Sequence, residues 1–193
     1  MAKKQKAKVP EGLTEAARRE RQRFNVACEA LLKEVRKLSL SILVWGPNPQ
    51  SESVIARKRN AIRDELKALG HNAMFSEELT PQVQGLSEKS KEFAQATVAH
   101  LVIILVEGSP GALAETHDFC NHPDIAPKVY VMVPTQYREG YSAKGAIKDL
   151  EDAHGGVYWY REDDVRSCNL LTQAVKRAEA RRNILYRAGG SPS

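Results

Sequence analysis

Short apolar runs alternate with amphipathic segments from residue 40 to residue 187. Apolar and β-branched runs predict five strands, at residues 40–45, 73–76, 101–106, 128–134 and 157–160. Between them, apolar positions three and four residues apart predict helices at 54–69, 87–99, 112–120 and 146–153, and a long final helix at 164–187. The third run, residues 101–106, has no polar residue, which is typical of a strand covered on both faces.

This alternation predicts an α/β fold, a flavodoxin- or Rossmann-like open parallel sheet of about five strands with flanking helices. We expect the strand order 2-1-3-4-5, which right-handed crossovers produce in folds of this kind. An extra N-terminal helix precedes the sheet over residues 14–38. Its apolar residues recur at spacings of four and three and form one narrow stripe, which is Phe24, Cys28, Leu31, Val35 and Leu38. Such a stripe packs on its own domain, on a second copy of the chain or on a protein partner.

The predicted organisation has four parts: a disordered basic tail (1–12), the N-terminal helix (13–39), a nucleotide-binding α/β domain (40–187) and a disordered tail (188–193). The 193 residues are 42% hydrophobic and 27% charged, which is typical of a globular domain. The net charge of +5 is concentrated at the ends, since residues 1–23 carry +5, residues 174–193 carry +4, and the stretch between them carries −4. A slightly acidic body with basic ends does not predict a nucleic-acid-binding surface.

Several classes of protein are not expected. The longest apolar run, residues 101–106, is too short to span a bilayer, and no signal-peptide pattern follows the basic start. The three cysteines are widely spaced and form no CxxC pair, so we expect a cytoplasmic protein without a disulfide framework. His117, Cys120 and His122 lack a fourth ligand, and we predict no metal site.

Two loops of unusual composition follow strands one and three. They are Gly46-Pro47-Asn48-Pro49 and residues 108–111, Gly-Ser-Pro-Gly. In an open parallel sheet both loops lie at the switch point, where ligands bind beyond the carboxyl ends of the strands. Glu115 falls in the first turns of the helix that follows the second loop. Two interpretations stay open: a ligand site, or ordinary strand ends with a glutamate that favours the helix dipole.

Residues 42–47 (Ile-Leu-Val-Trp-Gly-Pro) and 62–70 resemble the opening of nucleoside 2-deoxyribosyltransferase-like proteins. Residues 99–115 resemble the third strand and active-site helix of that family. There, and in the distantly similar phosphoribohydrolases, a glutamate lies four residues after a glycine, a spacing that Gly111 and Glu115 keep. TIR-type glutamate N-glycosidases share the sheet topology and also use a glutamate, a similarity at the level of the fold. The chain departs from the transferase pattern at His100 and Pro110, where that family usually has aspartates.

The resemblance implies an enzyme that cleaves the N-glycosidic bond of a nucleoside, a nucleotide or NAD, by hydrolysis or transfer. Glu115 would be the catalytic carboxylate beside the anomeric carbon, where positive charge develops as the bond breaks. NAD enters as a candidate substrate, and no cofactor is predicted. The resemblance also implies a role as a bacterial antiviral-defence effector. The alternative is a catalytically silent nucleotide-binding sensor, or an assembly subunit of a larger complex.

The remaining residues of the predicted site surround that carboxylate. Backbone and hydroxyl groups would shape the pocket for sugar or phosphate, and they belong to Gly46, Pro47, Asn48, Gly108, Ser109 and Gly111. Asp118 lies three residues after Glu115, on the same face of a helix, and is either a second site carboxylate or a solvated surface acid. Tyr141, in the loop before the fifth strand, is a candidate cover for the pocket.

Overall fold

A computed structural model of the chain describes residues 14–79, 85–107, 116–140 and 144–189. The chain divides into two compact units, residues 1–37 and residues 38–193. The predicted tails, 1–12 and 188–193, lie outside the described residues except for positions 188 and 189. Among the described helices, none combines the length and the apolar character that crossing a membrane requires.

The first unit contains helix α1, Glu15–Lys37. Thr14 lies at its start, where the hydroxyl oxygen accepts a hydrogen bond from the backbone N–H of Ala17 at 3.3 Å. In the predicted stripe Phe24 is 67% exposed and Leu31 is 54% exposed, whereas Val35 is buried. The extra N-terminal helix is therefore confirmed, and its contact with a second copy or a protein partner stays a prediction.

The second unit contains one sheet whose described strands are all parallel. The strands are β1 (Ser41–Trp45), β2 (Asn72–Met74), β3 (Leu101–Leu105), β4 (Val129–Pro134) and β5 (Val157–Tyr160). Their order is β2-β1-β3-β4-β5, so the predicted fold class and strand order are confirmed. At the end of β1, Trp45 pairs with Ile104 of β3, next to the last residue of that strand. The carboxyl ends of β1 and β3 therefore lie side by side, as the predicted switch point requires.

Helices and short 3-10 turns alternate with the strands along the chain. They are α2 (Val54–Ala68), α3 (Glu88–Val98), α4 (Ala146–His154), α5 (Glu162–Arg166) and α6 (Asn169–Arg187), with 3-10 turns at Ser76–Leu79, Ala126–Lys128 and Thr135–Tyr137. Residues 116–120 are also helical, and the preceding part of that predicted helix lies outside the described residues. Ser53 caps α2, since its hydroxyl oxygen accepts from the backbone N–H of Ala56 at 3.0 Å.

Two apolar layers cover the sheet. Alternate strand residues point to opposite faces, so Ile42 and Ile103 pack toward α2 and α6, while Leu43 and Val102 pack toward α3, α4 and the helical residues 116–120. All five residues of β3 are buried. This burial on both faces confirms the interpretation of the wholly apolar run as a central strand.

The predicted final helix is interrupted, and this is a correction. A single helix was expected over 164–187, but α5 ends at Arg166 and α6 begins at Asn169. Between them Ser167 is extended, with φ −88° and ψ −171°, and its carbonyl accepts from Lys58 Nζ at 2.6 Å. The Ser167 hydroxyl oxygen accepts from the backbone N–H of Asn169 at 3.3 Å, and the Asn169 side chain donates to Asp164 Oδ1 at 2.8 Å. Serine and asparagine side chains compete with the helical hydrogen bonds in this way, which an apolar periodicity does not reveal.

Candidate functional site

A cavity of about 200 Å³ opens at the carboxyl ends of β1 and β3. Its walls come from six segments of the chain: the end of β1, helix α2, the 3-10 turn after β2, helix α3, the end of β3, and the helical residues 116–120. The residues that line it are Trp45, Gly46, Arg59, Ser76, Glu77, Glu92, Ile104, Leu105, Thr116 and Phe119. The cavity thus lies where open parallel sheets bind ligands.

Gly46 is the residue of the predicted first loop that lines this cavity. Its φ of +151° is rarely adopted by residues with a side chain, and an added Cβ would lie 2.9 Å from the Leu105 carbonyl oxygen. Glycine at this position lets the end of β1 approach the end of β3. Of the other two predicted residues, Pro47 turns its carbonyl to Arg59 and Asn48 Oδ1 accepts from the backbone N–H of Gln50 at 2.9 Å. Neither lines the cavity in the described part of the chain.

Arg59 of α2 holds the loop after β1 in place. Its side chain is 1% exposed, and all three guanidinium nitrogens are used. Nε and Nη2 donate to the Val44 carbonyl at 3.0 and 2.8 Å, and Nη1 donates to the carbonyls of Gly46 and Pro47 at 3.2 and 2.9 Å. Both terminal nitrogens also donate to the two carboxylate oxygens of Glu77, at 2.8 and 2.7 Å. One buried cation therefore fixes the end of β1 and the turn after β2.

The carboxylate of Glu77 is shaped by this pairing. Partial burial by itself raises the pKa of Glu77, but hydrogen bonds and the positive charge of Arg59 outweigh that effect and lower the pKa below its ordinary value. Glu77 is therefore an anion at neutral pH. The Phe75 ring lies against the Arg59 guanidinium, 4.4 Å from the ring centroid to Cζ, and supports the cation from one side.

The rings of Trp45 and Phe119 form an aromatic part of the cavity wall. The rings of Trp45 and Phe119 have centroids 4.5 Å apart, and Phe93 of α3 packs on Phe119 at 4.7 Å. The indole nitrogen of Trp45 is buried and has no hydrogen-bond partner among the described residues. The cavity therefore has an apolar aromatic side and a charged side on which the cation is already paired.

Tyr160, at the end of β5, fixes the exit of β3. Its hydroxyl donates to the Val106 carbonyl at 2.5 Å, while the Val106 N–H donates to the Met132 carbonyl at 3.0 Å. Burial, together with the nearby Glu107, raises the pKa of Tyr160, so the hydroxyl keeps its proton and remains a donor. Val106 is thus held on both sides just before the segment 107–115.

Five of the predicted site residues lie outside the described residues: Gly108, Ser109, Gly111, Glu115 and Tyr141. Their predicted roles stay predictions. Glu115 is joined by one peptide bond to Thr116, which is fully buried and lines the cavity.

Asp118, the second predicted carboxylate, pairs with Lys89 of α3 at 2.5 Å and has a side chain that is 45% exposed. It does not line the cavity in the described part of the chain. His117 and Cys120 of the same segment are also not among the described residues that line the cavity. His117 contacts Asn121, and burial raises the pKa of the Cys120 thiol to about 12, which leaves it unreactive at neutral pH. The described residues contain no cluster of side chains suited to a metal ion.

His100, where the transferase pattern has an aspartate, lies just before β3 and so at the amino end of the strand. Its Nδ1 accepts from the backbone N–H of Ser41 at 2.9 Å, and its carbonyl accepts from Arg181 Nε at 2.9 Å. Burial, and the charges of Arg181 and Lys128, lower the pKa of His100. His100 therefore connects the amino ends of β1 and β3, and it lies at the end of the sheet opposite the cavity.

The sequence interpretation missed Arg59, Glu77 and Trp45. A signal existed for Arg59, because it lies four residues after Ile55 and three before Ile62, on the stripe of α2 that is buried. Val54 and Leu69, the apolar residues at the two ends of the predicted helix 54–69, are 46% and 37% exposed and do not belong to the buried stripe. Glu77 gave no comparable signal, since it is 18 residues from its partner and belongs to a polar loop.

The family model of the STM3845 retron effector protein matches residues 56–187, more than half of the chain. No curated protein matches the chain. The matched region includes Arg59, Glu77, the segment 107–115 and Tyr160. It supports the expectation of a bacterial antiviral-defence protein, and it lends no support to the more specific resemblance to nucleoside 2-deoxyribosyltransferase-like proteins.

Proposed function

The chain belongs to the STM3845 retron effector family, and we propose that this antiviral-defence effector cleaves the N-glycosidic bond of a nucleoside, a nucleotide or NAD. Glu115 is the catalytic carboxylate in this proposal. The supporting observation is the cavity between the ends of β1 and β3, one wall of which is Thr116, the residue that follows Glu115. Ligands of open parallel sheets bind at this place.

The proposed chemistry needs one carboxylate and a cavity that orients the sugar. As the bond from the anomeric carbon to the base breaks, its electron pair leaves with the base. The base of a nucleoside or nucleotide takes up a proton from water, whereas the nicotinamide of NAD leaves as a neutral molecule without one. The anomeric carbon gains oxocarbenium character, and the carboxylate of Glu115 stabilises it or adds to it as a glycosyl ester. Water then adds at the same carbon and gives up one proton to the solvent, which releases the sugar and restores the carboxylate. If a second base adds instead of water, the outcome is transfer.

The walls of the cavity are suited to this task because they are held by buried side chains. Arg59 fixes the turn after β1 and Tyr160 fixes the exit of β3, so both edges of the cavity are set before a substrate enters. Such preorganisation lowers the cost of orienting the sugar relative to a carboxylate.

The test compares the native chain with Glu115→Gln on a panel of NAD, nucleosides and nucleoside monophosphates, with the products identified by mass spectrometry. The matched control is Glu162→Gln, the same chemical change on the exposed helix α5, where the side chain is 77% exposed. We expect base release by the native chain and the control, and a loss of about 100-fold or more in Glu115→Gln.

Two results would overturn the proposal. One is the absence of base release above the level of Glu115→Gln with every compound. The other is a nucleotide that raises the melting temperature of the native chain and remains intact, which would indicate a nucleotide-binding sensor.

A further inference from the structure

Trp45 lines the cavity, and its indole carries a polar group without a partner among the described residues. The residue is 9% exposed, and Nε1 is buried without an acceptor among the described residues. Buried N–H groups in folded proteins are nearly always paired, so each exception calls for a reason. The other tryptophan of the chain follows the rule, since Trp159 Nε1 donates to Glu151 Oε1 at 3.2 Å. A bound ligand supplies a reason for the exception at Trp45.

The chemistry of the indole restricts what that ligand presents. An indole N–H donates and has no lone pair to accept with, so its partner must be an acceptor such as an oxygen. Trp45 and Phe119 form an apolar aromatic wall around this donor. The face of a sugar ring or the plane of a base packs on such a wall.

The charges of the described residues around the cavity disfavour an anionic group. Arg59 is the cation among its described lining residues, and its nitrogens already donate to three backbone carbonyls and to Glu77. Glu77 and Glu92 add two carboxylates to the lining. The segment 107–115 contains no lysine, arginine or histidine. A phosphate in this cavity would therefore lose its hydration without gaining a cation.

We infer that Trp45 is a ligand-binding residue whose indole N–H donates to an acceptor oxygen on an uncharged part of the ligand, and that this part occupies the cavity. The inference rests on the proposed function in taking a nucleoside as that ligand. The oxygen belongs to the sugar or is a carbonyl of the base, and the two sources share this donor.

The experiment measures binding by calorimetry in a Glu115→Gln chain, which keeps nucleosides intact. Inosine and adenosine are the probes, because inosine has a base carbonyl and adenosine does not. Trp45→Phe keeps an aromatic ring and removes the donor, and Trp159→Phe is the matched control with its own paired indole. We expect Trp45→Phe to weaken binding about tenfold, which corresponds to about 1.4 kcal/mol, and Trp159→Phe to leave it unchanged.

A second substitution separates the hydrogen bond from packing. Incorporation of β-(3-benzothienyl)alanine in a Trp159→Phe chain replaces the N–H of residue 45 by sulfur and keeps the shape of the ring. We expect the same loss of affinity with an unchanged melting temperature. A loss for inosine alone identifies the base carbonyl as the acceptor, and a loss for both nucleosides identifies a sugar oxygen.

Three results would overturn the inference. The first is an equal nucleoside affinity with and without the indole N–H of residue 45, and the second is displacement of inosine by millimolar phosphate or pyrophosphate. The third is that neither inosine nor adenosine binds. The proposed function fails separately, through the absence of base release. Base release that does not depend on Trp45 would leave the function standing and remove only this inference.

Discussion

Replacing Arg59 by methionine tests whether one buried cation sets the geometry of the cavity. Methionine keeps most of the aliphatic stem of arginine, so packing beneath the loop after β1 is largely retained. The substitution removes the hydrogen bonds to the carbonyls of Val44, Gly46 and Pro47 and the two bonds to Glu77. It therefore isolates the contribution of the guanidinium.

The size of the effect follows from which groups lose their partner. Breaking a buried ion pair by removing one member costs about 3–5 kcal/mol when the other member stays buried. Glu77 has a side chain that is 50% exposed, so water solvates its carboxylate once Arg59 is gone, and the lower end of that range applies. The buried Val44 carbonyl keeps a penalty of about 1–3 kcal/mol. We expect the free energy of unfolding to fall by about 3 kcal/mol.

Urea unfolding followed by far-UV circular dichroism measures this loss. The matched control is Arg57→Met, the same change at an exposed position of α2, for which we expect less than about 0.5 kcal/mol. Nucleoside affinity of the folded Arg59→Met chain should fall as well, because the Gly46 and Pro47 carbonyls lose their anchor. A loss of stability equal to that of Arg57→Met would refute the reasoning.

Two further predictions concern Tyr160 and His71. Tyr160→Phe removes the hydroxyl that holds the Val106 carbonyl at 2.5 Å, so we expect about 1 kcal/mol less stability and a fall in kcat for base release with little change in KM; unchanged kcat would contradict a positioning role. Burial and, to a lesser extent, the charge of Arg182 lower the pKa of His71 from 6.5 to about 4. Between these two values the unfolded chain binds a proton that the folded chain does not, so stability should fall as the pH falls from 6.5 to 4, by up to about 3 kcal/mol, and stay constant above that window. In His71→Gln the free energy of unfolding should change less between pH 6.5 and pH 4 than in the native chain. An equal fall in both chains over this range would show that His71 is not its cause.

Local patterns predicted the sheet because each of its elements has a local signature. The residues of β3 are apolar without exception and proved to be buried on both faces, and β5 begins and ends where its apolar run does. The order of the strands followed from the handedness of the crossovers rather than from any residue. What the patterns missed was the break at Ser167, where side-chain hydrogen bonds end a helix whose apolar spacing continues.

The site was predicted less completely, because its contacts join residues that are far apart in sequence. The Gly46 loop was identified by its composition, and its place at the cavity follows from the topology. Arg59 reaches carbonyls 12–15 residues away and a carboxylate 18 residues away, and the hydroxyl of Tyr160 reaches a carbonyl 54 residues away. Periodicity contains no information on pairs of this kind. A charged residue on the apolar stripe of a helix, as at Arg59, is the one local sign that such a contact exists.

Arg59 and Tyr160, the two side chains that hold the strand ends at the cavity, have the same kind of hydrogen-bond partner. Arg59 and Tyr160 both donate to backbone carbonyls at the ends of strands, and a backbone carbonyl is present whatever side chain the residue carries. The geometry of the strand ends is therefore set by donors on α2 and β5 rather than by the side chains of the loops themselves. The side chains of the loops are therefore not needed to hold the loop backbone and can serve in ligand binding or catalysis. Under this arrangement, substitutions of the anchors change stability and ligand binding together, whereas a substitution that removes only a ligand-facing group, as at Trp45, changes binding with little effect on stability.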